Sequence, residues 1–350
     1  MVVDLSFWKG KRVFLTGHTG FKGSWLSRIL INAGAELVGY ALEPQPRESL
    51  FTLCEVETDM HSIIGDIRDL DKLKKAYVEC KPDIVIHMAA QPLVWESYEN
   101  PVYTYETNVL GTVNLLECLR LHQNARSFLN ITTDKVYENH EWIWGYRETD
   151  ALNGYDPYSN SKSCSELVTH SYKNSFFSDN SVSISTARAG NVIGGGDFSA
   201  NRIVPDCVRY AMAGKDINVR NPNSIRPYQH VSEPLFAYLL ILEEQYSNGE
   251  KAGCYNIGPD DSDCITTGEL VGVFCQNWGQ GLGWYSEATN GPHEANYLKL
   301  DCSKMKSVFG WRPKWSIQTA IAKTIEWTLE YMATKNVSAL MDEQIVDYLR

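Results

Sequence analysis

The chain has 350 residues, with 32 Lys and Arg against 43 Asp and Glu, for a formal charge of −11. That length holds one large or two modest domains, and a pI near 5.3 supplies no electrostatic footprint for nucleic acid or an anionic membrane surface. A composition 43% hydrophobic and 21% charged excludes a disordered chain, and the longest apolar run, Leu235 to Leu242, is too short to cross a bilayer.

Met1 to Gly17 carries Asp4, Lys9, Lys11 and Arg12 with no apolar core, so it does not read as a signal peptide. Arg12 to Thr16 reads as a strand. Gly23 to Ala33 reads as a helix with Trp25, Leu26, Ile29 and Leu30 on one face. A strand follows at Glu36 to Ala41, another ahead of Gly65, and a helix at Asp69 to Cys80. Asp83 to Met88 is continuously apolar, as a buried parallel strand should be. Then come a long helix at Asn100 to Leu121, a strand at Ser127 to Thr132, a helix at Tyr158 to Ser171 and a strand at Val182 to Arg188. This alternation predicts an α/β fold, a Rossmann-type doubly wound parallel sheet.

After Gly190 single helices (Val204 to Gly214, Glu233 to Tyr246, Thr267 to Trp278, Ile317 to Tyr331) lie between loops rich in Gly, Pro and Asn. They predict a smaller C-terminal α/β domain that binds substrate. The expected division gives 1–189, with about 226–257, to dinucleotide binding, and 190–225 with 258–350 to substrate. The nine cysteines are scattered without a Cys-x-x-Cys, which predicts reduced thiols, no metal site and a cytoplasmic protein. The sequon at Asn130 falls inside a strand-like run and reads as accidental.

Gly17, His18, Thr19, Gly20, Phe21, Lys22 and Gly23 join the first strand to the first helix. Glycines three apart can make a tight turn, admit a pyrophosphate to the backbone and let helix and strand pack closely, with the helix N-terminus facing the phosphate charge. His18 reads as a hydrogen bonder on the pyrophosphate side. Asp66, in Gly65-Asp66-Ile67, can accept from an adenine amino group or simply cap the next helix. Ala89 and Ala90 end the fourth strand with little bulk. The second strand lacks an acid at its tip; Glu43 comes slightly late and Arg47 is the nearest cation for a 2′-phosphate, a pattern that leans to NAD over NADP.

Tyr158 and Lys162 share one helical face at i and i+4, and a nearby cation favours phenolate. Thr132 and Thr133 end the preceding strand, where a hydroxyl can bond the reacting alcohol. With the glycine turn, with Thr107-Asn108-Val109-x-Gly111-Thr112, with Arg188-Ala-Gly-Asn191 and with Arg226-Pro-Tyr-Gln-His230, these residues resemble the extended short-chain dehydrogenase/reductase superfamily in its nucleotide-sugar branch, the NAD-dependent epimerases and dehydratases. Sugar 4-epimerases generally carry small residues after that strand, and 4,6-dehydratases an ionisable pair. Asp134-Lys135, with Ala90-Gln91-Pro92-Leu93-Val94, is most similar to the CDP-glucose 4,6-dehydratase subfamily. Trp95 departs from its pattern, which has Arg there.

The resemblance implies a lyase with NAD as cofactor, CDP-glucose as substrate, and a homodimer, or a homotetramer, formed through Asn100 to Leu121 and Tyr158 to Ser171. It implies a catalytic set of Thr133, Asp134, Lys135, Tyr158 and Lys162. Cofactor contacts would come from the glycine turn, Asp66, Ile67, Ala89, Ala90, Gln91, Asn108, Thr132, Tyr158, Lys162 and Arg188. Substrate contacts would come from Thr133, Asn191, Arg202 and Arg226, the last on the diphosphate. Tyr158 would take the 4-hydroxyl proton, Lys135 the C5 proton, and Asp134 would protonate the departing 6-hydroxyl. That assignment requires displaced pKa values for Asp134 and Lys135, or a proton relayed between them. Trp142, Trp144 and Tyr146 could stack on a ligand or fill a loop over the core.

Overall fold

The computed structural model describes residues 3–45, 48–177, 181–287 and 295–350, so Arg47 lies outside the described residues. The first half alternates strand and helix. It begins with β1 (Arg12–Thr16), α1 (Phe21–Asn32), β2 (Glu36–Ala41), α2 (Leu50–Leu53), β3 (His61–Ile64), α3 (Leu70–Cys80) and β4 (Ile84–His87). It continues with α4 (Val94–Glu99), α5 (Pro101–Tyr105), α6 (Gly111–Leu121), β5 (Ser127–Thr133), α7 (Pro157–Phe176) and β6 (Ser183–Ala189). Then follow β7 (Val192–Ile193), α8 (Ile203–Met212), β8 (Ile217–Asn218), β9 (Ile225–Arg226), β10 (Gln229–His230), α9 (Ser232–Ser247) and β11 (Cys254–Ile257). The chain ends with β12 (Ile265–Thr266), α10 (Thr267–Trp278), β13 (Trp284–Tyr285), α11 (Ser303–Phe309), α12 (Ile317–Thr334) and α13 (Ser338–Leu349).

Side chains that alternate along a strand must find apolar cover on both faces when the sheet is sandwiched. Val13 and Leu15 of β1 enter one core layer and Phe14 the other; Ile84 and Ile86 against Val85 do the same in β4. The resulting parallel sheet has the order β11-β6-β5-β4-β1-β2-β3. The order reverses direction of winding beside β1 and β4, so their C-terminal ends open a crevice for a ligand. The run Leu235 to Leu242 becomes part of α9, a helix buried on all sides against the sheet. A separate apolar cluster joins α8, α10 and α12 through residues such as Val204, Leu270, Phe274 and Ile321.

Three features depart from the expected elements. The long helix from Asn100 is interrupted by a π-helical turn at Glu106–Leu110 between α5 and α6. Strand β11 extends the sheet by pairing with β6. Helix α13, which is not among the expected elements, packs on both α1 and α12. Met341 and Ile345 enter the main core, and Arg28 pairs with Asp342. Among the described residues no helix is long and apolar enough to cross a membrane, and no cluster of His, Cys, Asp and Glu could hold a metal. All nine cysteines are unpaired thiols.

Candidate active site

The turn from β1 into α1 is built around missing side chains. Gly17 has φ +78°, and a Cβ on it would lie 2.8 Å from the amide nitrogen of Ala89. A Cβ on Gly23 would lie 2.1 Å from the carbonyl oxygen of Gly17. Gly20 caps α1 without any side chain over the first amides, and the half-buried Ala89 and Ala90 leave the floor low. Helix N-terminal N–H groups without a cap attract anions. Thr19 donates to the carbonyl of Leu42 at 2.9 Å, holding the turn against the end of β2. The cradle fits the pyrophosphate of a dinucleotide.

Several expected cofactor residues sit elsewhere than their spacing suggested. The His18 ring is fully buried, bonded to Ser62 Oγ at 2.8 Å and edge-on to Phe51; burial pulls its pKa down to about 4. The ring is a neutral packing group beneath Gly39, which leaves His18 its backbone to face a ligand. Arg68 grips both carboxylate oxygens of Asp66 and holds its pKa below the usual range, so an adenine amino group would share that carboxylate rather than meet a free one. Ile67 packs under Gly111, leaving only its backbone for a ligand. Asn108 accepts from the Gln91 amide at 2.9 Å and donates to the Gln91 carbonyl and Ser161 Oγ. The side chain of Gln91 donates to Thr104 and accepts from the Leu93 amide. Both therefore shape the loop after β4 from within. The side chains of Thr132 and Arg188 both bond Glu166 in the interior, and Arg188 is 2% exposed. Residue spacing carries no information on which side of a turn or strand end is covered, and that decides where these side chains point.

The reacting groups do converge. Beyond β5 the chain makes a single 3₁₀ turn, Asp134–Val136, capped by the Thr133 side chain on the Lys135 amide. Asp156 caps α7, accepting from the Ser159 amide at 2.9 Å, so Tyr158 and Lys162 start the helix beside that turn. Thr133 hydrogen-bonds Tyr158 and also donates to Asp134 Oδ1 at 2.9 Å. Asp134 is 1% exposed, and among the described residues its Oδ2 has no partner. Burial raises the Asp134 pKa, against the downward pull of Lys135, the Thr133 bond and Arg226. A carboxyl so placed favours its protonated form, with a free oxygen from which to donate.

The activation expected of Lys162 takes another form. Its Nζ donates to the carbonyl of Ile131 at 3.1 Å, and burial, then the charge on Lys22, brings its pKa down to about 7. Burial lifts Tyr158 to about 12; the Thr133 bond and then Arg202 oppose that rise. Lys22 is itself lowered to about 8, by burial first and then by Arg202. Arg202 thus acts on Tyr158 and on Lys22, and Lys22 in turn on Asp134 and Lys162, a concentration of positive charge that an incoming anion would relieve. Lys22 as a partner of the acid and of the lysine was not legible in the motif, which marks it only as a turn residue.

On the substrate side, Arg202 is held by Asp197 at 3.1 Å and remains partly exposed. Arg226 is 7% exposed, with its guanidinium on the carbonyls of Ile225 and Ala295; its charge reaches Asp134 but it presents no open face. Asn191 is half-buried between β6 and β7. Trp95 lies under the guanidinium of Arg220, 5.6 Å from its ring centre, joining α4 to the segment after β8. Trp142 stacks on Tyr146, and Tyr146 on Tyr137, so this aromatic run covers the core while Trp144 stays 59% exposed.

The family model described as GDP-mannose 4,6 dehydratase matches residues 14–324. The chain belongs to that family. It lies within the extended short-chain dehydrogenase/reductases. A CDP-glucose 4,6-dehydratase of Salmonella typhimurium is 46% identical, with 99% of each chain covered. A probable dTDP-glucose 4,6-dehydratase of Sinorhizobium fredii is 27% identical over 91% of this chain and 93% of its own. Among solved structures, the Thermus thermophilus UDP-glucose 4-epimerase complex with NAD superposes with TM-score 0.79 and 26% identity, covering 91% of this chain and 98% of that one.

Proposed function

We propose that the chain removes water from CDP-D-glucose to give CDP-4-dehydro-6-deoxy-D-glucose, with NAD regenerated in each cycle. Asp134 carries the reading. A buried carboxyl with one unshared oxygen and a raised pKa, next to Lys135 and bonded through Thr133 to Tyr158, suits an elimination better than a hydride transfer alone. The Salmonella typhimurium relative, at 46% identity over the full length, supports the nucleotide.

Bound NAD would accept hydride from C4 and return it at C6, with a proton going back to C5. Gly17, Gly20 and Gly23 would bring backbone and helix terminus to its pyrophosphate, and Ala89 and Ala90 would leave room for its body. Tyr158, with Thr133 on its oxygen, takes the proton of the sugar 4-hydroxyl. The ketone so formed acidifies C5, and Lys135 removes that proton as Asp134 protonates the leaving 6-hydroxyl. Arg202 binds the diphosphate, with Asn191 beside it; Arg226 reaches it only if its guanidinium leaves the two carbonyls it now holds. Residues 1–189 with about 226–257 make the cofactor lobe, and 190–225 with 258–350 the substrate lobe.

The chain works in the cytoplasm as a homodimer, or a homotetramer of such pairs. Its α5–α6 face exposes Val102 (70%) and Leu110 (55%), which line one apolar hollow with Cys164 of α7, a strip suited to a second copy. Mass spectrometry and proton NMR of protein incubated with CDP-glucose and catalytic NAD test the reading. Loss of one water, a new C6 methyl signal and no net reduced cofactor are expected. A product that retains its 6-hydroxyl, or reaction with dTDP- or GDP-sugars only, would overturn it.

A further inference from the structure

Four donors converge on one buried carboxylate. Glu166, one helical turn past Lys162 on α7, is 2% exposed and accepts from Thr132 Oγ1 at 2.5 Å and Thr186 Oγ1 at 2.7 Å. It also accepts from Nε and Nη2 of Arg188, each at 3.0 Å. Arg188 spends its Nη1 on the Tyr137 hydroxyl at 2.8 Å and lies over that ring. A forked pair of this kind fixes orientation as well as distance. Stability alone does not account for it, since apolar side chains of similar volume often hold a core as well as a desolvated ion pair does.

The elements it joins give the pair a second role. Thr132 is the residue before Thr133, Asp134 and Lys135 at the exit of β5. Thr186 and Arg188 belong to β6, which leads into Gly190, where a Cβ would stand 3.1 Å from Asp134 Oδ2. Glu166 itself rides on the helix that presents Tyr158 and Lys162. We propose that the Glu166–Arg188 pair is a positioning device for the reaction, setting the elimination pair Asp134 and Lys135 against the oxidation pair Tyr158 and Lys162. The two halves of the chemistry then take place on one bound sugar without release between them. This inference rests on the dehydratase reading above.

Two full-length variants test it. Glu166→Met/Arg188→Met replaces the pair with apolar side chains of similar reach, and Glu166→Asp keeps the charge but withdraws it by one methylene. The double variant is expected to melt, without cofactor, within about 5 °C of wild type. With NAD and CDP-glucose its kcat falls about tenfold to a hundredfold while KM moves less than about threefold. Part of the sugar then leaves oxidised at C4 with its 6-hydroxyl intact, matched mole for mole by reduced cofactor. Glu166→Asp gives a smaller share of the same escaped ketone. A double variant that melts normally and turns over within twofold of wild type, with no escaped ketone, overturns the proposal. If the double variant does not fold, a wild-type product ratio in Glu166→Asp overturns it. Wild type run alongside separates the two ideas, since its failure to dehydrate CDP-glucose brings down the substrate reading.

Discussion

Asp134→Asn should separate function from stability. The carboxyl is 1% exposed, and burial raises its pKa in the folded state. For an acid with a raised folded pKa, the native state holds its proton more tightly than the unfolded chain. Asp134 therefore costs nothing below its unfolded value near 3.9, and costs progressively more stability as pH climbs toward the folded pKa. Above the folded pKa the cost is constant, at about 1.4 kcal/mol for each unit of the rise. Asparagine has nearly the same shape and no charge to desolvate, so the variant should melt higher than wild type at pH 8, with the gap closing toward pH 4. Losing the proton donor should at the same time lower kcat by about 10²–10⁴, or about 3–5 kcal/mol of barrier. Differential scanning calorimetry from pH 4.5 to 8, paired with NMR-followed turnover, measures both. A variant that melts lower than wild type at pH 8, or keeps more than a tenth of kcat, would refute the assignment of Asp134 as a buried acid.

Lys162→Met has the opposite pH signature. A lysine held to about 7 costs stability below that pH, and the cost disappears as pH rises from 7 to its unfolded value near 10.4. The variant should gain as much as about 4 kcal/mol at pH 6 and almost nothing at pH 10, with turnover abolished; an equal gain at both pH values would contradict the burial argument. Gly23→Ala drives a methyl into the Gly17 carbonyl oxygen at 2.1 Å, so NAD affinity by calorimetric titration should fall at least about a hundredfold. Leu110→Glu places a charge on the exposed α5–α6 strip, and sedimentation velocity should show a smaller species than wild type; an unchanged sedimentation coefficient argues against that face as the subunit contact.

What could be read from sequence follows from what is local. The β1–α1 turn and the Tyr158–Lys162 spacing depend on neighbours along the chain, and both stand where the pattern put them. Strand limits at Glu36–Ala41 and helix limits at Thr267–Trp278 match to the residue because periodicity and capping are local too. Burial of a polar side chain is not local. His18 follows a glycine in a phosphate-like turn, yet its ring folds under Gly39 because β2 passes directly over it. Arg188 ends a strand as a ligand-binding arginine would, but Glu166 lies opposite it on α7, twenty-two residues earlier. Lys22 meets Asp134 and Lys162 only because the sheet lays β1 and β5 on either side of β4. Helix α13 did carry a signal, Met341, Ile345 and Tyr348 on one face, weakened by the polar residues between them.

The π-helical turn at Glu106–Leu110 has a consequence for insertions and deletions in the gene. Deleting one codon there would give a regular α-helix, which local propensity alone would welcome. The wide turn absorbs one extra residue, so α5 and α6 would stay close to their present phase while the side chains inside the turn changed direction. Asn108 lies in that turn and would lose the Gln91 backbone it holds. One residue of apparent slack in this helix therefore aims an amide at the ligand-side loop without disturbing the outer surface.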